Sequence, residues 1–146
     1  MMQQVRDLMT GQPLAVAPDT PVFEACQLMG RERIRHLLVT EGPRLVGVVT
    51  DRDIRLNLPS QATSLSVWEM NYLLARLTVG QVMTPSVIKV GPGRDARDAA
   101  RLMIEHKIGA LPVVDGSRVV GIVTESDFLR AFVEAADAAA LARRTS

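Results

Sequence analysis

Two short stretches of this 146-residue chain carry residue types suited to holding a ligand. Thr50-Asp51-Arg52-Asp53 and Thr124-Glu125-Ser126-Asp127 each set a hydroxyl three residues ahead of a carboxylate. Each follows an apolar run broken by a glycine, Leu45–Val49 with Gly47 and Val119–Val123 with Gly121. A Thr-x-x-Asp opening a helix has two readings. As a cap, the threonine oxygen accepts a helix N–H and the aspartate interacts with the positive end of the helix. As half of a ligand site, the free N–H groups and the helix dipole attract an anion, and a carboxylate, which only accepts hydrogen bonds, suits the two hydroxyls of a ribose. The two roles are compatible. A cap alone requires neither the glycine-bearing strand before it nor the retention of both residues in both stretches.

Other chemistry finds little support in the residues. His36 and His106 stand apart from any second ligand, so no metal site is expected. There is no Gly-x-Ser-x-Gly elbow, no glycine-rich phosphate loop ending in Lys-Ser/Thr, and no Gly-x-Gly-x-x-Gly, so no residue is nominated as catalytic. A formal net charge of +1 provides no basic field and argues against nucleic acid as the main partner. No apolar run approaches the ~18–20 residues of a spanning helix, and residues 1–6 lack a signal-peptide core. With one cysteine, Cys26, an intrachain disulfide cannot form. Its place on an apolar helix face favours core packing over a reactive thiol. A cytoplasmic protein is expected. At 47% hydrophobic and 23% charged residues, the composition is that of a globular domain with an aliphatic core.

The elements that must position the two stretches follow in order. Val5–Thr10 is a short lead-in, expected as a helical turn, and Pro13–Val16 is a short extended piece. Thr20-Pro21 suits a helix start, with Thr as cap and Pro at the first helical position. Val22, Ala25, Cys26 and Met29 then share one face. Ile34–Thr40 and Leu45–Val49, joined by Glu41-Gly42-Pro43, read as a hairpin buried on both faces. A helix is expected from Asp51 to about Leu58.

The same order returns 74 residues later (Thr124 against Thr50), and aligning 5–56 with 79–130 without a gap gives 18 identical pairs in 52. Met9/Met83, Thr10/Thr84, Pro18/Pro92, Ala25/Ala99, Met29/Met103, Gly47/Gly121 and Asp53/Asp127 are among them, and Ala96, Ala99, Ala100 and Met103 repeat the helix face. This is a duplication. Two copies are too few for a solenoid, and each alone would bury little apolar surface, so the copies are expected to pack on one another about a pseudo-twofold axis. Between them, Pro59–Thr63 is linker-like. Ser66-Val67-Trp68-Glu69 has the form of a capping box, opening a helix with Val67, Met70, Leu74 and Leu77 on one face. Trp68 and Tyr72 lie four apart on another face, suited to packing over the module edge or to a subunit interface. Phe128–Arg144 reads as a C-terminal helix with a frayed end.

The order Met-Thr, Val-x-Pro, helix, Ile-x-x-Leu-x-Val, Gly-hydrophobic-Val-Thr-x-x-Asp resembles the CBS motif. Ile108–Asp115 and Gly121–Asp127 match it closely, and two copies in tandem resemble a CBS pair, or Bateman module. The helix over 65–77 resembles that of small free-standing bacterial members, some linked to acetoin utilisation. On this resemblance the fold is α/β (α+β): two pseudo-twofold-related CBS motifs, each a small sheet packed with two helices. Motif 1 is placed at 4–57, a linker with an inserted helix at 58–77, motif 2 at 78–133 and a helical tail at 134–146.

The resemblance implies a non-catalytic regulatory module. It would bind an adenine nucleotide (AMP, ADP or ATP) or S-adenosylmethionine in clefts between the motifs and signal to an unidentified regulated protein by a change of shape. It also implies a homodimer, and a purely structural homodimerisation module without ligand stands as the alternative. One site would combine Thr50, Arg52 and Asp53 with Thr84, Ile88, Ile108, Gly109 and Ala110. The other would combine Thr124, Ser126 and Asp127 with Thr10, Leu14, Ile34, Arg35 and His36. The apolar members could equally be core, and Arg35-His36 a solvated strand edge. Because Arg35-His36 correspond to Gly109-Ala110, the sites should be unequal, with the Asp127 site favouring the more phosphorylated nucleotide. Leu38, where Pro112 keeps the motif's usual proline, is a departure in the first copy.

Overall fold

The computed structural model describes residues 3–58, 66–85 and 87–145. The linker-like Pro59–Thr63 and Leu65 lie outside these residues. In chain order the elements are α1 (Val5–Leu8), β1 (Thr10–Gly11), β2 (Ala15–Val16), α2 (Val22–Glu32), β3 (His36–Glu41), β4 (Arg44–Thr50), α3 (Asp51–Leu56), α4 (Val67–Arg76), α5 (Val79–Val82), α6 (Ala96–His106), β5 (Ala110–Asp115), β6 (Arg118–Thr124) and α7 (Glu125–Thr145). They form two three-stranded sheets, ordered β2-β3-β4 and β1-β6-β5, which bears out the mixed α/β reading.

The chain divides into two compact units that cut across the repeat. One holds Pro13–Val87 with Ser117–Val119. The other holds the residues up to Gln12 together with Ile88–Gly116 and Val120 onward. The lead-in of each copy has therefore changed places, which the ungapped repeat did not foretell. In the first unit, β2 runs parallel to β3, and β3 pairs antiparallel with β4 with His36 opposite Thr50 and a register shift at Val39/Thr40. Gly42 turns the hairpin at φ 59, a left-handed conformation that glycine adopts without strain. Val22, Ala25 and Met29 of α2 pack on Leu37, Val39 and Val49 of the sheet, and Val79 and Val82 of α5 complete that core. In the other unit Ala99 and Met103 of α6 pack on Leu111, Val113 and Val123, and the core is completed by Val5 of α1.

Hydrogen bonds fasten these exchanged segments. Val79 donates to Thr20 O at 2.8 Å, Gly80 to Pro18 O at 2.8 Å and Val22 to Leu77 O at 2.8 Å. The equivalents at the other end are Val5 to Arg94 O at 2.8 Å, Arg6 to Pro92 O at 2.9 Å and Ala96 to Gln3 O at 2.9 Å. Behind each short helix comes Met-Thr, which lies against the outer strand of the hairpin. Val48 and Thr84 exchange N–H···O bonds of 3.1 and 2.9 Å, and Thr10 pairs opposite Ile122 on β6. An exposed strand edge is thereby satisfied.

Several local expectations shift. Pro21 is itself the cap of α2, and the helix starts at Val22, because the Thr20 carbonyl is committed to Val79. Helices α2 and α6 end alike, with Arg33 (φ 56) and Lys107 (φ 54) left-handed. The next residue bonds back across the turn, Ile34 N to Met29 O and Ile108 N to Met103 O, both at 3.0 Å, a Schellman closure. The sheet strand therefore starts at His36 and not at Ile34. On α4, Ser66 accepts the Glu69 N–H at 3.1 Å as expected. Val67, however, is 74% exposed and Trp68 84%, while Leu74 and Leu77 carry the packing onto the core. Tyr72 lies under the Arg76 guanidinium at 4.5 Å. The C-terminal helix is continuous from Glu125 to Thr145, so the boundary drawn at 133/134 falls inside it.

The Met-Thr segment explains the glycine in the repeat. A Cβ on Gly47 would stand 2.5 Å from Met83 Sδ and 2.9 Å from the Thr84 carbonyl oxygen, and one on Gly121 2.6 Å from Met9 Sδ and 2.9 Å from Thr10 O. The thioether can swing aside, but the backbone oxygen is held in the sheet. Gly47→Ala and Gly121→Ala should each lower the unfolding free energy by about 1–3 kcal/mol, the range for overpacking. Gly11→Ala, where nothing stands within 4 Å of the new methyl, should change little. Urea denaturation of the three variants checks this, and an equal loss at Gly11 would remove crowding as the cause.

Candidate functional site: two strand-to-helix corners

Strand β4 ends in extended backbone at Thr50 (φ −119, ψ 162), and α3 begins on the next residue. Thr50 Oγ1 accepts the Asp53 N–H at 3.0 Å, and Asp53 Oδ2 accepts the Thr50 N–H at 3.0 Å, a complete capping box. Asp51 N donates to Arg35 O at 3.1 Å, so the turn before β3 is tied to the helix start. The Asn57 side chain closes the far end by donating to Asp53 O at 2.7 Å. Among the described residues nothing donates to Asp53 Oδ1. The cap thus uses one carboxylate oxygen and leaves the other as an acceptor.

The second corner follows the same plan with different bonds. Glu125 N donates to Gly109 O at 3.1 Å, matching Asp51 and Arg35. Asp127 Oδ2 accepts both the Thr124 N–H at 2.8 Å and the Thr124 hydroxyl at 3.2 Å. Asp127 Oδ1 accepts Arg130 Nη1 at 3.1 Å. Asp127 is 6% exposed and is the one buried charged residue described. Arg130 was not singled out from sequence. Its trace there is the i,i+3 spacing from Asp127 and the contrast with Leu56, its counterpart in the first copy.

The remaining residues named from sequence sort by unit. Thr84, Leu14, Ile34, Arg35 and His36 share the unit of Thr50, Arg52 and Asp53. Thr10, Ile88, Ile108, Gly109 and Ala110 share that of Thr124, Ser126 and Asp127. Within each unit the Met-Thr threonine is brought to the strand leading into the corner, Thr84 beside Val48 and Thr10 beside Ile122. Arg35 and His36, grouped from sequence with Asp127, stand in their own unit alongside Thr50, with His36 in register opposite it. Ile34 packs on one core, and Ile88 and Ile108 on the other, so these apolar members serve the core in part. Arg35, Arg52, Ser126, Thr10 and Thr84 are exposed.

Away from the corners there is less chemistry. A cleft of about 270 Å³ is lined by Cys26, Met29, Asp51, Ile54, Arg55, Leu58 and Leu74, but it holds neither Thr50 nor Asp53. Burial pushes the Cys26 thiol above its ordinary value, which favours packing over reactivity. Arg97, through its side chain and its N–H, holds the half-buried Asp95 carboxyl at the start of α6 below the usual range. Among the described residues no three His, Cys, Asp or Glu side chains are placed to hold a metal, and no helix is long and apolar enough to cross a membrane.

The sequence and the fold recur in known proteins. The CBS domain model matches the chain twice, over residues 5–60 and 79–134. The CBS domain-containing protein YhcV of Bacillus subtilis is 33% identical over 126 residues, covering 86% of this chain and 83% of that protein. CBSX2, a chloroplastic protein of Arabidopsis thaliana, is 34% identical over 82% of this chain, which spans 58% of that longer protein. A crystal structure of CBSX2 in complex with AMP has a TM-score of 0.75 at 34% identity, covering 90% of this chain and 97% of that one. The CBS domain pair of protein MJ0100, in complex with 5′-methylthioadenosine and S-adenosyl-L-methionine, has a TM-score of 0.75 at 28% identity, covering 92% and 98%. With the motif matched in both halves and the fold shared over nearly its whole length, the chain belongs to the CBS-domain family and carries the domain as a tandem pair.

Proposed function

We propose that this CBS pair is a non-catalytic regulatory module of the cytoplasm that binds adenine nucleotides (AMP, ADP or ATP) or S-adenosylmethionine. The corner residues Thr50, Arg52 and Asp53, and Thr124, Ser126 and Asp127, receive the ribose and phosphate. The observation that carries this reading is the Asp53 carboxylate, whose Oδ2 is committed to the cap at 3.0 Å while Oδ1 remains an open acceptor. A ribose diol needs such an acceptor, and the exposed Arg52 on the same helix turn can meet an anion. The adenosine compounds bound to CBSX2 and MJ0100 support the choice of ligand class. Thr84, Ile88, Ile108, Gly109, Ala110, Thr10, Leu14, Ile34, Arg35 and His36 are proposed to complete the ligand surroundings. Binding regulates a partner protein only if the ligand has different affinity for two arrangements of the pair.

A homodimer is part of the proposal, and one observation also favours the alternative, a homodimerisation module without ligand. On α7, Leu129, Phe132 and Val133 fall at i, i+3 and i+4 and are all exposed, as is Leu141 a few turns on. A second copy laid on this stripe would bury it. Phe132→Glu should then turn a dimer into a monomer in light scattering coupled to size exclusion, and an unchanged mass would move the interface elsewhere.

Ligand and structural roles separate in a melting experiment. At 100 times Kd a nucleotide stabilises the native state by about 2.7 kcal/mol, so AMP, ADP, ATP or S-adenosylmethionine should raise Tm. No shift with any of them at millimolar concentration would favour the structural alternative. Asp53→Asn keeps an oxygen for the Thr50 N–H but gives up the negative acceptor, so it should weaken nucleotide binding while changing Tm of the free protein little. Thr50→Ala should do the reverse in stability, costing about 1 kcal/mol through the lost cap. Calorimetry with AMP on both variants distinguishes the two roles.

A further inference from the structure

The two corners differ in what holds the aspartate. In the first copy the Thr50 hydroxyl faces the Asp53 N–H at 3.0 Å, and the carboxylate keeps one oxygen open. In the second, the Thr124 hydroxyl has turned to donate to the carboxylate, and Arg130 holds the other oxygen at 3.1 Å. All the Asp127 oxygens are engaged, and the residue is 6% exposed. The counterpart of Arg130 in the first copy is Leu56, an exposed side chain with nothing to donate.

We propose that Arg130 is a specificity-determining latch on Asp127, so that the corners take nucleotide in a set order, Asp53 first and Asp127 second. The proposal rests on the nucleotide reading above. A vicinal diol reaches Asp53 by meeting a free acceptor. At Asp127 it must first displace a charge-assisted bond. That bond can be displaced, because the Arg130 side chain is 63% exposed and its ion pair is well solvated. Arg130 therefore lowers the affinity of the second corner without abolishing it, and binding spreads over a wider range of ligand concentration than two equal sites would give. It is a positioning residue, acting on the ligand through the state of Asp127.

The test exchanges the two side chains. Arg130→Leu gives the second corner the residue of the first, and Leu56→Arg does the converse. In calorimetry with AMP, the wild-type protein should show a tighter site that Asp53→Asn weakens and a weaker site that Asp127→Asn weakens. Arg130→Leu should tighten the weaker site about two- to fivefold, the range for an exposed ion pair, and leave the tighter one in place. Leu56→Arg should loosen the tighter site by a similar factor. Both positions are exposed, so Tm of the free variants should stay close to wild type, which separates a latch from a merely structural ion pair. The proposal is overturned if Arg130→Leu leaves the weaker site unchanged or loosens it, or if the tighter site proves to depend on Asp127. A wild-type protein that binds no AMP overturns the nucleotide reading and the latch with it, whereas normal wild-type binding with indifferent exchange variants overturns the latch alone.

Discussion

The contact on which both halves depend is a methionine laid over a glycine. Each hairpin has an outer strand, β4 or β6, whose edge needs a partner, and each finds it in a Met-Thr segment running alongside. That approach is close enough that a Cβ at Gly47 or Gly121 would meet the carbonyl of Thr84 or Thr10 at 2.9 Å. The glycine and the methionine are thus one requirement written at two places in each copy, and the threonine enters it through its backbone carbonyl. The recurrence of the glycine in both copies follows from this packing. The same contact sets the corners, since the glycine lies three residues before Thr50 or Thr124, on the strand that delivers them.

At the corners stability and chemistry use the same atoms. A capping box needs one carboxylate oxygen and one hydroxyl, and an aspartate has an oxygen to spare. In the first copy the spare oxygen is open. In the second it is taken, and the hydroxyl has changed from acceptor to partner of the carboxylate. Duplication therefore kept the carboxylate's bond to the threonine N–H and let the remaining bonds diverge. The charged residues around the corners diverged as well: Arg35-His36 stand where the second copy has Gly109-Ala110, and Leu56 where it has Arg130.

Much of this was legible in the sequence because it is local or repeated. The hairpins, the apolar faces of α2 and α6, the Ser66 cap and the Thr50-x-x-Asp53 cap depend on neighbours within a few residues, and the ungapped 74-residue repeat exposed the duplication (Thr124 against Thr50). The expected Thr124 cap, however, is replaced by a hydroxyl donated to Asp127. What escaped was long-range. The exchange of the lead-in segments leaves no trace in a repeat without gaps, since Val5 looks the same whichever core it fills. The start of α2 moved because Thr20 O bonds to Val79, far along the chain. Val67 fits an apolar face by spacing, yet it begins a helix at a point where it stays 74% exposed and no other described element covers it. Arg130 was hidden by its ordinary character: an arginine three residues after an aspartate on a helix is common, and only the buried state of Asp127 gives it weight.

The exchange also puts each corner's strand beside a point where the chain leaves its unit. The chain passes from one unit to the other just after Gln12 and just after Val87, closely following Thr10 and Thr84. These threonines pair with the strands that end at Thr124 and Thr50. Gln12 holds φ at 51, a left-handed conformation unusual for a residue with a side chain, so that crossing is already a constrained point. The edge partner of each corner-bearing strand is thus also the last segment of its unit before the chain leaves it, so the pairing that settles the strand fixes where each crossing begins.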